Sequence, residues 1–257
     1  CYPAKLITLM ISDVSGDDIG VIASGPTVGD ESTFSDAINV LKKYKITKPK
    51  TVVNYLNNGI DETPKPGDFR LENVQNLVIA NSKQSLEAAA KSAEKFGVIP
   101  LILSDSVQGE SRKVAIAHSH KALEIQKKRQ YDSKPVVLLS GGETCVTVKG
   151  FGKGGPNTEY MLSMLIELKG QAGIWAIACD TDGIDGTGDN AGAFIGPDSF
   201  KKSKSLGMNP KSFLEKNDSY NFFSKIGDLV SPGPTLTNVN DFRAILIMPL
   251  SKKIQNI

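Results

Sequence analysis

Asn76 to Asp105, NLVIANSKQSLEAAAKSAEKFGVIPLILSD, reads as a strand, a helix and a strand in immediate succession. NLVIA and VIPLILSD are apolar runs of strand length, and SKQSLEAAAKSAEKFG has helical spacing with Ser82 or Asn81 as its cap. Downstream, ESRKVAIAHSHKALEIQKKR predicts another helix, PVVLLSGGETCVTV a strand pair or one long bent strand, and GIWAIACD a further strand. Upstream, a strand at about 5–13 is followed by a loop, and then by a helix that starts near Ser32 to Phe34 and runs through DAINVLKKY. Strands alternating with helices predict an α/β fold, with mostly parallel sheets covered by helices on both faces. The turn signals Asn57-Asn58-Gly59 and Pro64-Lys65-Pro66-Gly67 place a domain boundary near residue 70, giving domains over 1–70 and 71–257.

Composition narrows the function classes. A chain of 257 residues can bury one large core or two modest ones, and its net charge of +2 gives no broad attraction for nucleic acid or an anionic membrane. No apolar run approaches the length of a membrane span, and CYPAKLITLMISDV lacks the parts of a signal peptide. The start at Cys1 reads as a cut from something longer. Cys1, Cys145 and Cys179 form no CxxC, and the apolar runs around the last two predict buried free thiols in a reducing cytoplasm.

The candidate chemistry starts at Leu138–Gly155, LLSGGETCVTVKGFGKGG. Glycines at 141, 142, 150, 152, 154 and 155 remove side chains where backbone N–H groups could approach a ligand, with Glu143 and Lys153 beside them. The helical NTEYMLSMLIELKG follows, so the loop would open into a helix N-terminus, which suits phosphate. Two tight turns without a ligand remain the plainer alternative. A second loop, CDTDGIDGTGDNAGA, sets Asp180, Asp182, Asp185 and Asp189 among glycines, as a divalent-cation site or a general base beside one would need, or simply as an Asp- and Gly-rich turn. Two more loops fall at strand ends: SDVSGDDIGVIASGPTVGD, with Asp13, Asp17 and Ser24 to Thr27, and SPGPTLTNVNDF, with Asn238, Asn240 and Asp241. His118 and His120, two apart on a charged helix, read as solvated; Met161 and Met164 read as core. Gly150, Gly152 and Gly155 satisfy GxGxxG, and Asp180 ends the next strand, a pattern that would serve an NAD(P)H-dependent reductase. The clustered carboxylates suit metal and triphosphate better.

Four motifs in order, SDV-x-GDD-x-x-x-IASGPT, LSGGET-x-VTV-x-G-x-GKGG-x-N-x-E, DTDG-x-DG-x-x-x-x-AGA and GPT-x-TNVND, resemble those of the type II glycerate kinases, also called glycerate 2-kinases or the MOFRL family and often labelled hydroxypyruvate reductase. The resemblance covers about 10 to 250 of this chain. It implies ATP- and Mg²⁺-dependent phosphorylation of D-glycerate to 2-phosphoglycerate, in a cleft between a Rossmann-like first domain, partial here, and a smaller second α/β domain. It further implies Asp182, Asp185 and Lys153 as catalytic; Gly141, Gly142, Glu143, Gly152, Gly154, Gly155 and Asn157 around the nucleotide phosphates; Asp13, Ser24, Gly25, Thr27 and Asn238 around the substrate; and Asp180 with Asp182 on the metal. Where the family commonly carries arginine after the double glycine, this chain has Pro156, which fits the first position of a helix. The family's upstream portion, with a lysine thought to be catalytic, has no counterpart in this sequence. Hydroxypyruvate reduction and non-catalytic ligand binding are the rival readings, and the reading leaves room for a homodimer.

Overall fold

The computed structural model describes residues 1–129 and 134–250. Its strands and α-helices run, in chain order, β1 (Leu6–Ile11), α1 (Phe34–Lys43), α2 (Lys50–Asn58), β2 (Val74–Ala80), α3 (Ser82–Lys95), β3 (Ile99–Ser104), β4 (Gly109–Glu110), α4 (Ser111–Lys128), β5 (Val136–Ser140), β6 (Thr144–Cys145), α5 (Pro156–Leu168), β7 (Ile174–Asp180), β8 (Gly192–Ile195), α6 (Ser199–Ser205), α7 (Pro210–Glu215), α8 (Ser219–Ile226), β9 (Leu229–Val230) and β10 (Asp241–Ile247). They form two compact units, one of Cys1–Met10 with Asp17–Ile79, the other of Ile11–Gly16 with the residues from Ala80 onward. Among the described residues no helix is long and apolar enough to cross a membrane.

In the smaller unit, α1 packs on α2 through an edge-to-face contact of Phe34 with Tyr55 at 5.7 Å. Thr33 caps α1 reciprocally with Asp36, the Thr/Asp form of a capping box. The expected strand at 5–13 and helix from 32–34 appear as β1 and α1.

The larger unit is built on a six-stranded sheet of order β3-β5-β10-β7-β8-β9. β3 and β5 are parallel neighbours joined by α4, as the strand–helix–strand pattern requires. β10 then enters between β5 and β7 and runs antiparallel to both, with Ile245 opposite Leu138 on one side and Ala176 on the other. β3, β5 and β7 therefore share a direction, but parallel hydrogen bonding in this sheet is confined to β3–β5. The α/β class holds, and the sheet is mixed: β7 and β8 are linked by a loop with no helix, which favours an antiparallel pair. PVVLLSGGETCVTV resolves into two strands of different sheets, β5 and β6, the latter pairing with β4.

Every residue of β5 is buried, because helices cover both faces there. Val137 and Leu139 meet Leu86, Ala89, Ala90 and Ala93 of α3, whose cap is Asn81, accepting from the Gln84 N–H. Val136 and Leu138 meet the other layer, where α5 is the central helix and buries Tyr160, Met161, Leu162, Met164 and Leu165. Each such apolar side chain contributes about 1.5–3 kcal/mol.

α4 lies along α5 and turns inward Ser111, Ala115, Ser119, Ala122 and Gln126. This stripe of small and polar residues is hard to see in a hydropathy pattern. It carries His118 to the α4–α5 seam, where Nδ1 lies 2.9 Å from the Tyr160 hydroxyl, so His118 is a half-buried packing residue and not a solvated one. His120 does face solvent, beside Glu167. Burial, aided by the nearby positive charge of Arg243, pushes the His118 pKa down to about 4. The unfolded imidazole takes its proton near 6.5 and the folded one only near 4, so within that window the unfolded state binds more protons and stability falls as pH falls. The full window is worth up to about 3 kcal/mol, less what residual solvent screens. Between about pH 7.5 and about pH 5, denaturant titration should show the parent losing more stability than a His118→Gln variant. Parallel pH profiles for the two proteins would remove His118 as the acid-sensitive contact.

Candidate active site

The glycine loop enters α5 through a turn gripped by a buried carboxylate. Asp185 accepts hydrogen bonds from the backbone N–H of Asn157 (2.9 Å) and Thr158 (2.8 Å) and from the Thr158 hydroxyl (2.7 Å). These are the orphan donors of a helix first turn, and the negative charge lies at the positive end of the helix dipole. Burial still raises its pKa to about 6 against the pull of those donors. Pro156 sits at N1, where its missing N–H costs nothing. A Cβ on Gly155 would stand 2.5 Å from the Asp185 carboxyl carbon, so this glycine permits the cap to close. Asp185 is thus engaged as a helix cap, not an open metal or substrate ligand, and Gly155 and Asn157 are buried beneath the loop.

The rest of the loop is held from its other side by residues 216–219. Asn217 Oδ1 accepts from the N–H groups of Lys149 (2.8 Å) and Gly150 (2.9 Å), while its amide donates to Glu159 at 2.8 Å. Asp218 accepts from the Lys153 N–H at 3.0 Å, and Gly152 N–H donates to the Lys216 carbonyl at 2.9 Å. Side chains at Gly150, Gly152 or Gly154 would collide with Lys216, Asp218 or Ser219. The loop glycines therefore serve close packing of two backbones, a use different from clearing space for phosphate. The N–H groups of Phe151 and Gly154 make no hydrogen bond among the described residues. Phe151 also lines, with Lys153, Thr187, Lys216, Asp218 and Asn221, a cavity of about 580 Å³, within the size range of small-ligand sites. Lys153 Nζ stands 3.7 Å from the centroid of the Tyr220 ring and 4.0 Å from Asp189, whose carboxylate accepts from the Tyr220 hydroxyl.

The acidic loop leaves β7 at Asp180 and is laced to residues 235–240. Thr181 donates through N–H and hydroxyl to the Asn240 carbonyl, and the Val239 N–H returns to the Thr181 hydroxyl. Asp180 accepts from the Asp182 N–H at 3.0 Å, and Asp182 from the Ile184 N–H at 2.7 Å. Both carboxylates are partly open to solvent. Burial first, then the charges of Asp241 and Asp182, raises the Asp180 pKa to about 7. No group of three or more His, Cys, Asp or Glu side chains among the described residues forms a metal cage. A pair of partly open carboxylates two residues apart does fit Mg²⁺, which is usually held by one or two carboxylates together with phosphate and water.

The first glycine corner is tied to the same place by β10. Arg243, only 1% exposed, donates to the Gly141 carbonyl at 3.3 Å and the Thr144 hydroxyl at 3.0 Å, and pairs with Asp241. Asp241 takes the Asn157 side-chain amide at 2.6 Å. Gly142, at φ 94°, lies against the Val107 backbone, where any side chain would clash.

The other expected residues are distributed as follows. Asn238 lies in the larger unit, its Oδ1 capping the Asn240 N–H. Glu143 and Asp13 are exposed there. Ser24, Gly25 and Thr27 belong to the smaller unit. Ala23, Ser24 and Gly25 are consecutively left-handed, at φ 48°, 64° and 59°, and the Thr27 hydroxyl donates to Asn76 at 2.6 Å. Cys145 is exposed and Cys179 half-buried, so only the latter matches a buried thiol, with its pKa pushed up to about 12 by burial. Sequence reasoning missed Asn217, Asp218, Tyr220 and Arg243. An Asn-Asp pair between two short helices was the only signal for the first two, and nothing local marks a buried arginine in RAILIMPL.

Comparison with known proteins places this geometry. Residues 136–241 match the MOFRL family, and residues 1–57 a domain of unknown function (DUF4147). A D-glycerate 2-kinase of Thermotoga maritima is 39% identical over 96% of this chain and 58% of its own length. An Agrobacterium vitis protein that carries hydroxypyruvate reductase as a provisional name is 48% identical over 95% of this chain and 56% of its own length. The crystal structure of a Thermotoga maritima glycerate kinase superimposes with a TM-score of 0.86 at 39% identity, covering 96% of this chain and 58% of that one. The chain thus spans rather more than half the length of these relatives. The matched segment runs from β5 through the glycine loop and the acidic loop to Asp241, so it contains the contacts that Asp185 and Asp241 make with the first turn of α5, and residues 136–241 form a domain of the MOFRL family.

Proposed function

We propose that the protein to which this chain belongs transfers a phosphoryl group from ATP to D-glycerate, giving 2-phosphoglycerate. The observation that carries this reading is the cap on α5. A dinucleotide site of the GxGxxG kind rests its pyrophosphate on the N–H groups at the start of the following helix. Here Asp185 occupies those donors, so the GxGxxG spacing cannot be used in that way. What stays unpaired at the loop tip are the Phe151 and Gly154 N–H groups, and Phe151 and Lys153 line the 580 Å³ cavity. These groups suit a triphosphate. The kinase names of the Thermotoga maritima and Pyrococcus horikoshii relatives, 39% and 38% identical, support the same reading.

Phosphoryl transfer depends on positioning and on neutralising charge over the transferring group. In this assignment Lys153 supplies the cationic contact, steered by the Tyr220 ring and Asp189. Asp180 and Asp182 would hold Mg²⁺, which when bound would supply positive charge to offset that of the phosphates. Asn238 and Asp13 keep the substrate roles that the resemblance implies, while in the smaller unit the Thr27 hydroxyl is already committed to Asn76. Gly141, Gly142 and Asn157 act as scaffold for the phosphate-binding loop.

The assay is direct. With ATP, Mg²⁺ and D-glycerate the whole protein should release 2-phosphoglycerate and ADP, and with NADH and hydroxypyruvate it should oxidise no cofactor. The reverse pattern would make the protein a reductase. Asp182 and Asp185 separate by role. Asp182→Asn should lower kcat at least about 100-fold, about 2.7 kcal/mol, with little change in melting temperature. Asp185→Asn should instead cost about 2–4 kcal/mol of stability by weakening a buried charged cap, and its activity loss should track the unfolded fraction. Full activity in Asp182→Asn would return that loop to a turn without chemistry.

A further inference from the structure

We propose that Arg243 is a positioning residue that locks the Gly141–Gly142 corner and the first turn of α5 into one scaffold beneath the phosphate-binding loop. For its ligand this rests on the kinase reading. For its geometry it rests on the side chains alone.

Arg243 leaves β10 and is fully enclosed, with its guanidinium carbon 5.3 Å from the centroid of the Tyr160 ring. One terminal nitrogen donates to the Gly141 carbonyl at 3.3 Å, and the other reaches the Thr144 hydroxyl at 3.0 Å and the Asp241 carboxylate. The first corner is therefore held at both ends of the turn. Asp241 continues the connection in two directions. Its backbone N–H donates to the Gly142 carbonyl at 3.2 Å, and its second carboxylate oxygen takes the Asn157 amide at 2.6 Å. Asn157 is the second residue of α5, and its own N–H is one of the two fixed by Asp185. A shift of the Gly141 carbonyl is thus transmitted through Arg243, Asp241 and Asn157 to the turn that follows Gly154. The planar guanidinium satisfies three acceptors in fixed directions, which a lysine ammonium on a flexible stem cannot reproduce. Asn157 Oδ1 and Arg243 Nε are buried and have no hydrogen-bond partner among the described residues.

Two variants of the whole protein test this. Arg243→Lys keeps the charge and removes the fork. Arg243→Met combined with Asp241→Asn removes both charges, so neither is stranded. In both, the Kd for Mg-ATP should rise at least about tenfold with the KM for glycerate within about threefold of the parent. Amide hydrogen exchange should quicken together at residues 141–144 and 157–159 and stay unchanged in α3. The neutral double variant should regain melting temperature relative to Arg243→Lys without regaining ATP affinity. If Arg243 only stabilises the fold, ATP affinity stays within about threefold and exchange rises across the whole larger unit, and the proposal falls. A parent that forms no 2-phosphoglycerate sinks the kinase reading separately, while the exchange comparison still decides whether Arg243 couples the two corners.

Discussion

The carboxylate of Asp185 at the start of α5 is the contact on which the arrangement of the larger unit turns. α5 is the most buried helix, so its first-turn N–H groups cannot be left to water, and an unmade hydrogen bond there costs about 1–3 kcal/mol per group. A ligand could satisfy them only while bound. Asp185 satisfies them permanently, and in doing so brings the acidic loop against the glycine loop, with Gly186 lying on the backbone of Gly154 and Gly155. The closeness of the two loops is thus a folding requirement first. Whatever chemistry they share is built on a junction that exists without ligand.

Several sequence features change meaning in that light. A run of glycines before a helix invites a phosphate reading, yet side chains at 150, 152 and 154 would strike residues 216–219, and one at 155 would strike Asp185. Asn217 and Asp218 collect the N–H groups that the loop would otherwise offer, leaving those of Phe151 and Gly154. The loop therefore has a fixed shape with a narrow open tip. Preorganised donors of this kind cost no rearrangement on binding, which favours recognition of a developing charge over loose capture of any anion.

The elements legible in the sequence were those whose signal is local. The strand–helix–strand stretch from 76 to 105, the long helix at 111–128, the core stripe of α5 and the strand ending at Asp180 all emerge from periodicity and caps. The insertion of β10 between β5 and β7 was not legible, since pairing over such sequence distances leaves no mark on either strand. For the site, the four loops were found because glycine, aspartate and asparagine cluster in them. The roles within the loops were not found. Asp182 and Asp185 are both aspartates in a Gly-rich loop, and only the fold shows one to be partly open and the other buried under a helix end. Arg243 was invisible for a related reason: a lone arginine in an apolar strand reads as an edge or surface residue until its partners, about a hundred positions away, are in place.

Charge balance supplies the final constraint. Asp180, Asp182, Asp185 and Asp241 act on one another electrostatically near the ends of β7 and β10, and Arg243 is the buried cation that answers them. The guanidinium pairs with Asp241, and the helix dipole with its N–H donors answers Asp185. Asp180 and Asp182 have no cation paired with them among the described residues, and burial, with the charges of Asp241 and Asp182 added to it, pulls the Asp180 pKa upward. Lys153 does not correct it, being turned toward Tyr220 and Asp189. Two of the four carboxylates are therefore structural and committed to partners within the protein, while the two partly open to solvent are free to meet a divalent ion. The division between scaffold and chemistry in this cluster follows from which aspartates the protein can compensate with its own groups.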